Sequence, residues 1–334
     1  MRRGGEGVGL VLTEVASLQF GAALAATLFP LLGPIGVVAG RLTGAALALG
    51  LVATALRIHA VRRPRAARRL KHGVRRLRAP KRPKAAWRLA VAFGVLTAAM
   101  NSCVYLALAR LPLGAVITLE FLGPLGLALA LSRRWRDAGW AGCALAGVLL
   151  LGGGLADADL VAVLLALVAA GCWAGYVLLS RQMGSQGGLQ TLALAAVIAA
   201  VAMLPFALTW SGAALLRHPG AVGLGCLVGV VSSALPYALD LLALRRLSAR
   251  VFGVLMSLNP AVATLAGWLV LGQQMSGWQL VAVGLVVLAS VGATAAPAPV
   301  TPRAGRCFRV RPGRAAARKE TPPRTPPQRP APAA

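Results

Sequence analysis

Ten apolar windows of roughly bilayer-spanning length recur along this chain, and the positive charge between them alternates from one connection to the next. The windows fall at residues 8–28, 34–56, 87–109, 113–131 and 138–155, then at 159–180, 189–209, 219–242, 250–271 and 277–295. A hydrocarbon core of about 30 Å takes roughly 20 residues of helix, and a soluble fold has no interior large enough to hide so many runs of that kind. Helices satisfy their own backbone in lipid, and the abundance of Gly and Ala lets neighbouring helices approach closely where lipid offers no hydrophobic drive for association. Short connections rich in Pro and Gly, at 30–34, at Pro112 and at 184–188, punctuate the windows. The expected fold class is therefore all-α integral membrane, with ten transmembrane helices.

Of the 35 Lys and Arg residues, all but Arg41, Arg110 and Arg217 fall on one alternate set of connections: the N-terminus, 57–88, 132–137, 181–188, 243–250 and the tail. Positive charge collects on the cytoplasmic side, so a multi-pass protein of the plasma (inner) membrane with both termini in the cytoplasm is expected. A net charge of +27 would by itself point to nucleic acid. Nucleic acid is not the expected partner, because only 13% of residues are charged and nearly all of the basic ones sit outside the windows. The arginine-rich loop 57–84 and the Pro-rich basic tail 296–334, which is expected to be disordered, read as solvated blocks that fix topology, with anionic lipid as a possible further partner. Arg2 and Arg3 ahead of an apolar run with Ala-Leu-Ala at 23–25 resemble a signal peptide. Glu14 within that run favours a retained first helix.

An internal repeat organises the windows. Ala107, Leu108, Arg110 and Leu111 match Ala243, Leu244, Arg246 and Leu247, and Pro124 falls on Pro260 at the same offset. Further on, Gly139-Trp140 matches Gly277-Trp278. The expected units are residues 8–155 and 156–295. Each holds five helices, an odd number, so the second must be inverted in the membrane. Many secondary transporters are built in this way, with the substrate site near the midplane between the repeats.

An ionisable group deep in a bilayer costs about 2.5–3.5 kcal/mol on insertion scales, so each one needs a reason. Arg41 and Glu120 fall at similar depths, roughly 10–12 Å from one boundary at 1.5 Å rise per residue, and Asn101 lies near that level. An Arg41–Glu120 ion pair with Asn101 beside it is expected. Glu14 and Asp240 lie towards the other boundary, with Trp173, Tyr176, Tyr237 and Asn259. One reading is a buried pair that only holds helices together, with aromatics that only pack. The other is a polar cavity for a small zwitterion, in which Arg41, Asn101, Glu120, Trp173, Tyr176, Tyr237 and Asn259 bind substrate and Glu14, Glu120 and Asp240 are candidates for proton coupling. No nucleophile–base set, Walker sequence or strand-linked Gly-rich turn appears, so no enzyme is expected. His59, His72 and His218 lack any zinc spacing and none of the five cysteines forms a C-x-x-C pair, so no metal or other cofactor is expected.

Several stretches carry a family resemblance. Residues 17–30 (SLQFGAALAATLFP), 112–124 (PLGAVITLEFLGP), 172–176 (CWAGY) and 233–237 (SALPY) resemble, in order, segments of the RhtA-type threonine/homoserine exporters, members of the EamA group of the drug/metabolite transporter superfamily. The likeness runs from about residue 10 to 295 and leaves out the basic loop and the tail. It implies two inverted EamA repeats, no ATPase, and export of small amino acids or related metabolites by a secondary transporter. Efflux of cationic or amphiphilic drugs is the alternative within transport. A non-transporting anchor whose arginine-rich segments bind anionic lipid or nucleic acid is the alternative from another class. Three positions depart from the family: Asn259-Pro260 where Glu-Pro is common, Gln273 where a further Glu is usual, and Ala26 where relatives can carry Lys. They bear on substrate choice and coupling.

Overall fold

The computed structural model describes residues 2–62, 83–130, 135–153, 159–183, 189–236, 239 and 255–295. The described residues are helical, with no strand among them. The helices are α1 (Arg2–Ala26), α2 (Phe29–Arg62), α3 (Pro83–Leu108), α4 (Leu113–Ala130), α5 (Trp135–Gly153), α6 (Leu160–Met183), α7 (Leu189–Arg217), α8 (Pro219–Gly229), α9 (Asn259–Leu271) and α10 (Gly277–Ala295). Among the described residues five helices are long and apolar enough to cross a membrane: α1, α2, α3, α6 and α7. Shorter apolar helices follow at Leu113–Leu127, Pro219–Ala234, Asn259–Leu271 and Gly277–Gly292.

The departures from the expected windows have local causes. Gly33 takes φ 68° and ψ 165°, a backbone region open essentially to glycine alone. It breaks Phe29–Leu32 from the span that Pro34 then opens. At its far end α2 runs on to Arg62, into the basic segment expected to be loop, and α3 begins at Pro83 within it, while residues 63–82 and the tail lie outside the described residues. The window at 250–271 is not one helix: Ser257 and Leu258 form a turn, and α9 starts at Asn259. Pro260 lacks a backbone N–H and is suited to a first helical turn. Gly272, at φ 63°, closes α9 in the left-handed conformation, with Gln273 N–H on the Gly267 carbonyl. The α8 register also changes, passing into a five-residue π-helix at Val230–Ala234.

Packing proceeds in a recurrent pattern. Helix α2 lies on α7 and α8, α3 on α6 and α7, and α4 on α6 and α9. Helix α1 lies on α9 and the π-segment, and α5 on α10. The distribution of polarity is the reverse of a soluble domain. Leu51, Trp210 and Leu216 are strongly exposed, while Glu14, Arg41, Asn101 and Glu120 are buried. An apolar exterior of this extent is inexpensive only against lipid, so these helices form a membrane protein.

One ion pair sits away from the apolar exterior. Arg110, in the turn between α3 and α4, pairs with Asp159 just before α6. Asp159 also caps that helix, its Oδ1 accepting the Val161 N–H at 2.9 Å. The hydrogen bond from Arg110, with help from Val161, holds this carboxyl below the usual aspartate range. A depressed pKa stabilises above the unfolded value, near 3.9, and the gain fades as pH falls through the folded value. Arg110→Gln should therefore move the onset of acid unfolding in detergent upward, towards pH 4. An unchanged onset would show that the pair is not felt in solution.

Candidate functional site

Two glycine pairs set the geometry of the site. Gly40 and Gly44 on α2 meet Gly225 and Gly229 on α8, a G-x-x-x-G spacing on both helices that lets the backbones touch. A Cβ on Gly44 would fall inside the Cys226 carbonyl, and one on Gly229 inside the Arg41 carbonyl. Arg41 thus lies against α8 where the helix loosens into its π-segment. Ser232 in that segment donates its hydroxyl to the Val228 carbonyl at 2.7 Å, so its Oγ faces Arg41 as an acceptor. Arg41 Nε donates to that Oγ at 2.9 Å, Nη2 to the Ser232 carbonyl at 3.3 Å, and Nη1 to Asn101 Oδ1 at 2.7 Å. Asn101 is oriented by its own Nδ2, which donates to the Thr97 carbonyl at 2.8 Å. The Tyr105 ring, one turn beyond Asn101, lies 5.4 Å from the guanidinium carbon.

These groups border a cavity of about 200 Å³. For scale, an apolar cavity of about 150 Å³ takes up a benzene-sized guest. Its wall includes Glu14, Arg41, Asn101, Glu120, Trp173 and Tyr176, six of the residues singled out from the sequence. Asn259 stands one layer back, its Oδ1 accepting from Gln19 Nε2 at 2.7 Å, and Gln19 is in the wall. Tyr237 and Asp240 lie outside the described residues. The aromatics are braced: Trp173 packs edge-on against Phe121 at 5.4 Å between centroids, and Tyr176 against Phe93 at 4.5 Å.

The expected Arg41–Glu120 ion pair is not formed. The two face one cavity, but Arg41 gives its directed bonds to Asn101 and Ser232, and Glu120 is not within salt-bridge distance of it. Depth along two helices fixes one coordinate only, and the π-segment brings a third helix to the guanidinium first. Gln19, Tyr105 and Ser232 are wall residues that the sequence reading passed over. Tyr105 could have been found from its i+4 spacing to Asn101, and Gln19 as an amide inside an apolar run. Ser232 carries no such signal, because a serine in a helix can satisfy itself on the carbonyl four residues back.

At the α9–α10 connection Gln273 has a structural task. Its Oε1 accepts the Leu113 N–H at 2.9 Å and so caps α4. A neutral amide is sufficient there.

Comparison with known proteins agrees with this architecture. Residues 160–295 match the EamA-like transporter family. The chain is 39% identical over 289 residues to the threonine/homoserine exporter RhtA of Escherichia coli K12, covering 85% of this chain and 90% of that protein. The exporter of the same name from Salmonella typhimurium matches to the same extent. A protein known from a crystal structure shares the fold, with a TM-score of 0.50 at 20% identity over 87% of this chain and 96% of that one. With this identity over nearly the full length of its relatives, and with the matching residues 160–295, the chain belongs to the EamA-like transporter family.

Proposed function

We propose that this protein is a secondary transporter that exports small amino acids of the threonine/homoserine kind, or close metabolites, across the plasma membrane. The observation that carries the reading is the cavity, in which a guanidinium and two carboxylates, Arg41, Glu14 and Glu120, share one apolar chamber. Three directed bonds leave two of the five guanidinium N–H groups for a substrate carboxylate. Glu120 and Glu14 are the partners for an ammonium and the candidates for proton coupling, with Asp240 a further candidate from the sequence. Asn101 orients Arg41, and Trp173 and Tyr176 shape the apolar wall; Tyr237 is assigned to the same site from the sequence. The names of the exporters that the chain resembles support the substrate class.

The architecture proposed with this function is ten transmembrane helices in two inverted halves, residues 8–155 and 156–295, with both termini cytoplasmic. The packing pattern supports it. If α1–α5 correspond to α6–α10, the pairs α2 with α7, α4 with α9 and α5 with α10 map onto themselves. The contact of α3 with α7 maps onto α8 with α2, and that of α4 with α6 onto α9 with α1. Reporter fusions at residues 28, 110 and 334 test the orientation: an externally active reporter at the C-terminus overturns it. For function, the decisive measurement is efflux over an amino-acid panel from cells loaded by peptide feeding, with and without an uncoupler. Lower intracellular threonine and homoserine, restored by the uncoupler, is expected. No change across the panel, with the protein folded in the membrane, sinks the reading.

A further inference from the structure

The buried contact between α9 and α1 has a direction. Asn259 is fully buried, and its Nδ2 donates to the Met256 carbonyl at 2.8 Å. A carbonyl only accepts, which fixes the amide: Oδ1 must be the atom turned to Gln19. Gln19 answers with Nε2, at 2.7 Å. Exchanging oxygen and nitrogen in Gln19 would set two acceptors against each other. Its Oε1 is therefore committed to the other side, and there it is buried without a hydrogen-bond partner. A buried polar atom left unmet is costly, and native proteins keep few of them without a reason. In a helix bundle within lipid no bulk water lies behind the wall to relieve it.

We infer that Gln19 is a specificity-determining residue of the transport site. Its Oε1 accepts a hydrogen bond from a hydroxyl on the transported amino acid, and Asn259 is the positioning residue that keeps oxygen rather than nitrogen on offer. This rests on the export reading above. The hydroxyl is favoured over the ammonium because the cavity already holds carboxylates, Glu14 and Glu120, which bind a cation more strongly than a neutral amide does. Arg41 is matched to the carboxylate. A neutral acceptor is left for a neutral donor.

The test uses the full chain in proteoliposomes and compares kcat/KM for threonine with that for L-2-aminobutyrate, which has the same carbon skeleton without the hydroxyl. Wild type should prefer threonine about tenfold, the worth of one hydrogen bond to an otherwise unmet buried group. Gln19→Met, close in shape and without the oxygen, should bring that ratio to near one. Asn259→Leu should do the same from one layer behind the wall. Asn259→Asp, which still accepts the Gln19 N–H, should keep the preference. An unchanged ratio in Gln19→Met overturns the inference, as does a wild type that moves both amino acids equally well, a result needing no variant. A wild type that moves neither overturns the export reading itself.

Discussion

Arg41→Gln and Glu120→Gln should each lower export by about a hundredfold per molecule of folded protein, well beyond any loss of protein from the membrane. For Arg41 the reasoning begins with position. Three directed bonds, to Ser232 twice and to Asn101, hold the guanidinium in one place beside the Tyr105 ring. A group held in this way loses little on binding a carboxylate, and truncating one partner of a desolvated charge pair costs about 2–5 kcal/mol. Tenfold corresponds to about 1.4 kcal/mol, so two orders of magnitude lies within that range. Glutamine still reaches one acceptor, which limits the damage to the fold to about 1–3 kcal/mol. Arg41→Lys should fail nearly as badly, because a point-like ammonium cannot serve Ser232 and Asn101 together and still present a fork. For Glu120 the loss should be accompanied by a weaker pH dependence of the flux, since position 120 no longer binds or releases a proton, and Glu14 in the same wall is left to carry what remains. The measurement is initial efflux of labelled threonine from proteoliposomes at several external pH values, normalised to protein by quantitative blotting. Flux within twofold of wild type in both variants would leave the two residues as helix-holding polar groups.

The residues that line the cavity were only partly legible in the sequence, and the limit is geometric. Charge alternation and window length use one coordinate, the depth along a helix, and they place Arg41, Asn101 and Glu120 at one level. Whether two side chains at one level meet depends on how each helix is rotated about its axis, which is set by contacts between residues far apart in the chain. Arg41 is rotated towards Ser232, 191 residues away, by the glycines that flank it on α2. The π-segment that presents Ser232 has no composition of its own. Val230–Ala234 reads as ordinary apolar helix, and the extra residue per turn is visible only once α8 is seen against α1, where Ser17 donates to the Val231 carbonyl at 2.8 Å. Gly33 falls in the Pro/Gly connection at 30–34 that the sequence marks, whereas the window at 250–271 runs through Pro260 and the break before it is seen only in the structure. That Asn259 stands behind Gln19, instead of in the cavity wall, required the packing of α9 on α1.

The glycine crossing of α2 on α8 should divide sharply under alanine substitution. Gly40→Ala and Gly225→Ala are expected to be neutral or slightly stabilising. A Cβ at Gly40 meets its nearest neighbour, the Gly225 Cα, at 3.5 Å, and one at Gly225 meets the Gly40 Cα at 3.7 Å, both ordinary contacts. Alanine in a helix is favoured over glycine by about 1 kcal/mol. Gly44→Ala and Gly229→Ala, one turn further along the same two ridges, place a methyl within a backbone carbonyl of the opposing helix. Backbone cannot rotate away as a side chain can, so the helices must separate. The cost should be about 3 kcal/mol, at the upper end for overpacking, or roughly 5 °C or more in the unfolding midpoint of a chain this size. The two damaging substitutions should also differ from each other. At Gly229 the collision is with the carbonyl of Arg41 itself, three residues before Ser232, so separation there draws the guanidinium off its two acceptors. Gly229→Ala should lose export at temperatures where it is still folded, whereas Gly44→Ala, which meets Cys226, should lose export mainly in step with stability. Thermal unfolding in detergent, followed by fluorescence-detected size exclusion and paired with export at a permissive temperature, reads both quantities. Equal midpoints for all four variants would mean that the helices are not in backbone contact at this crossing, and that something other than the glycine pairs sets the position of Arg41.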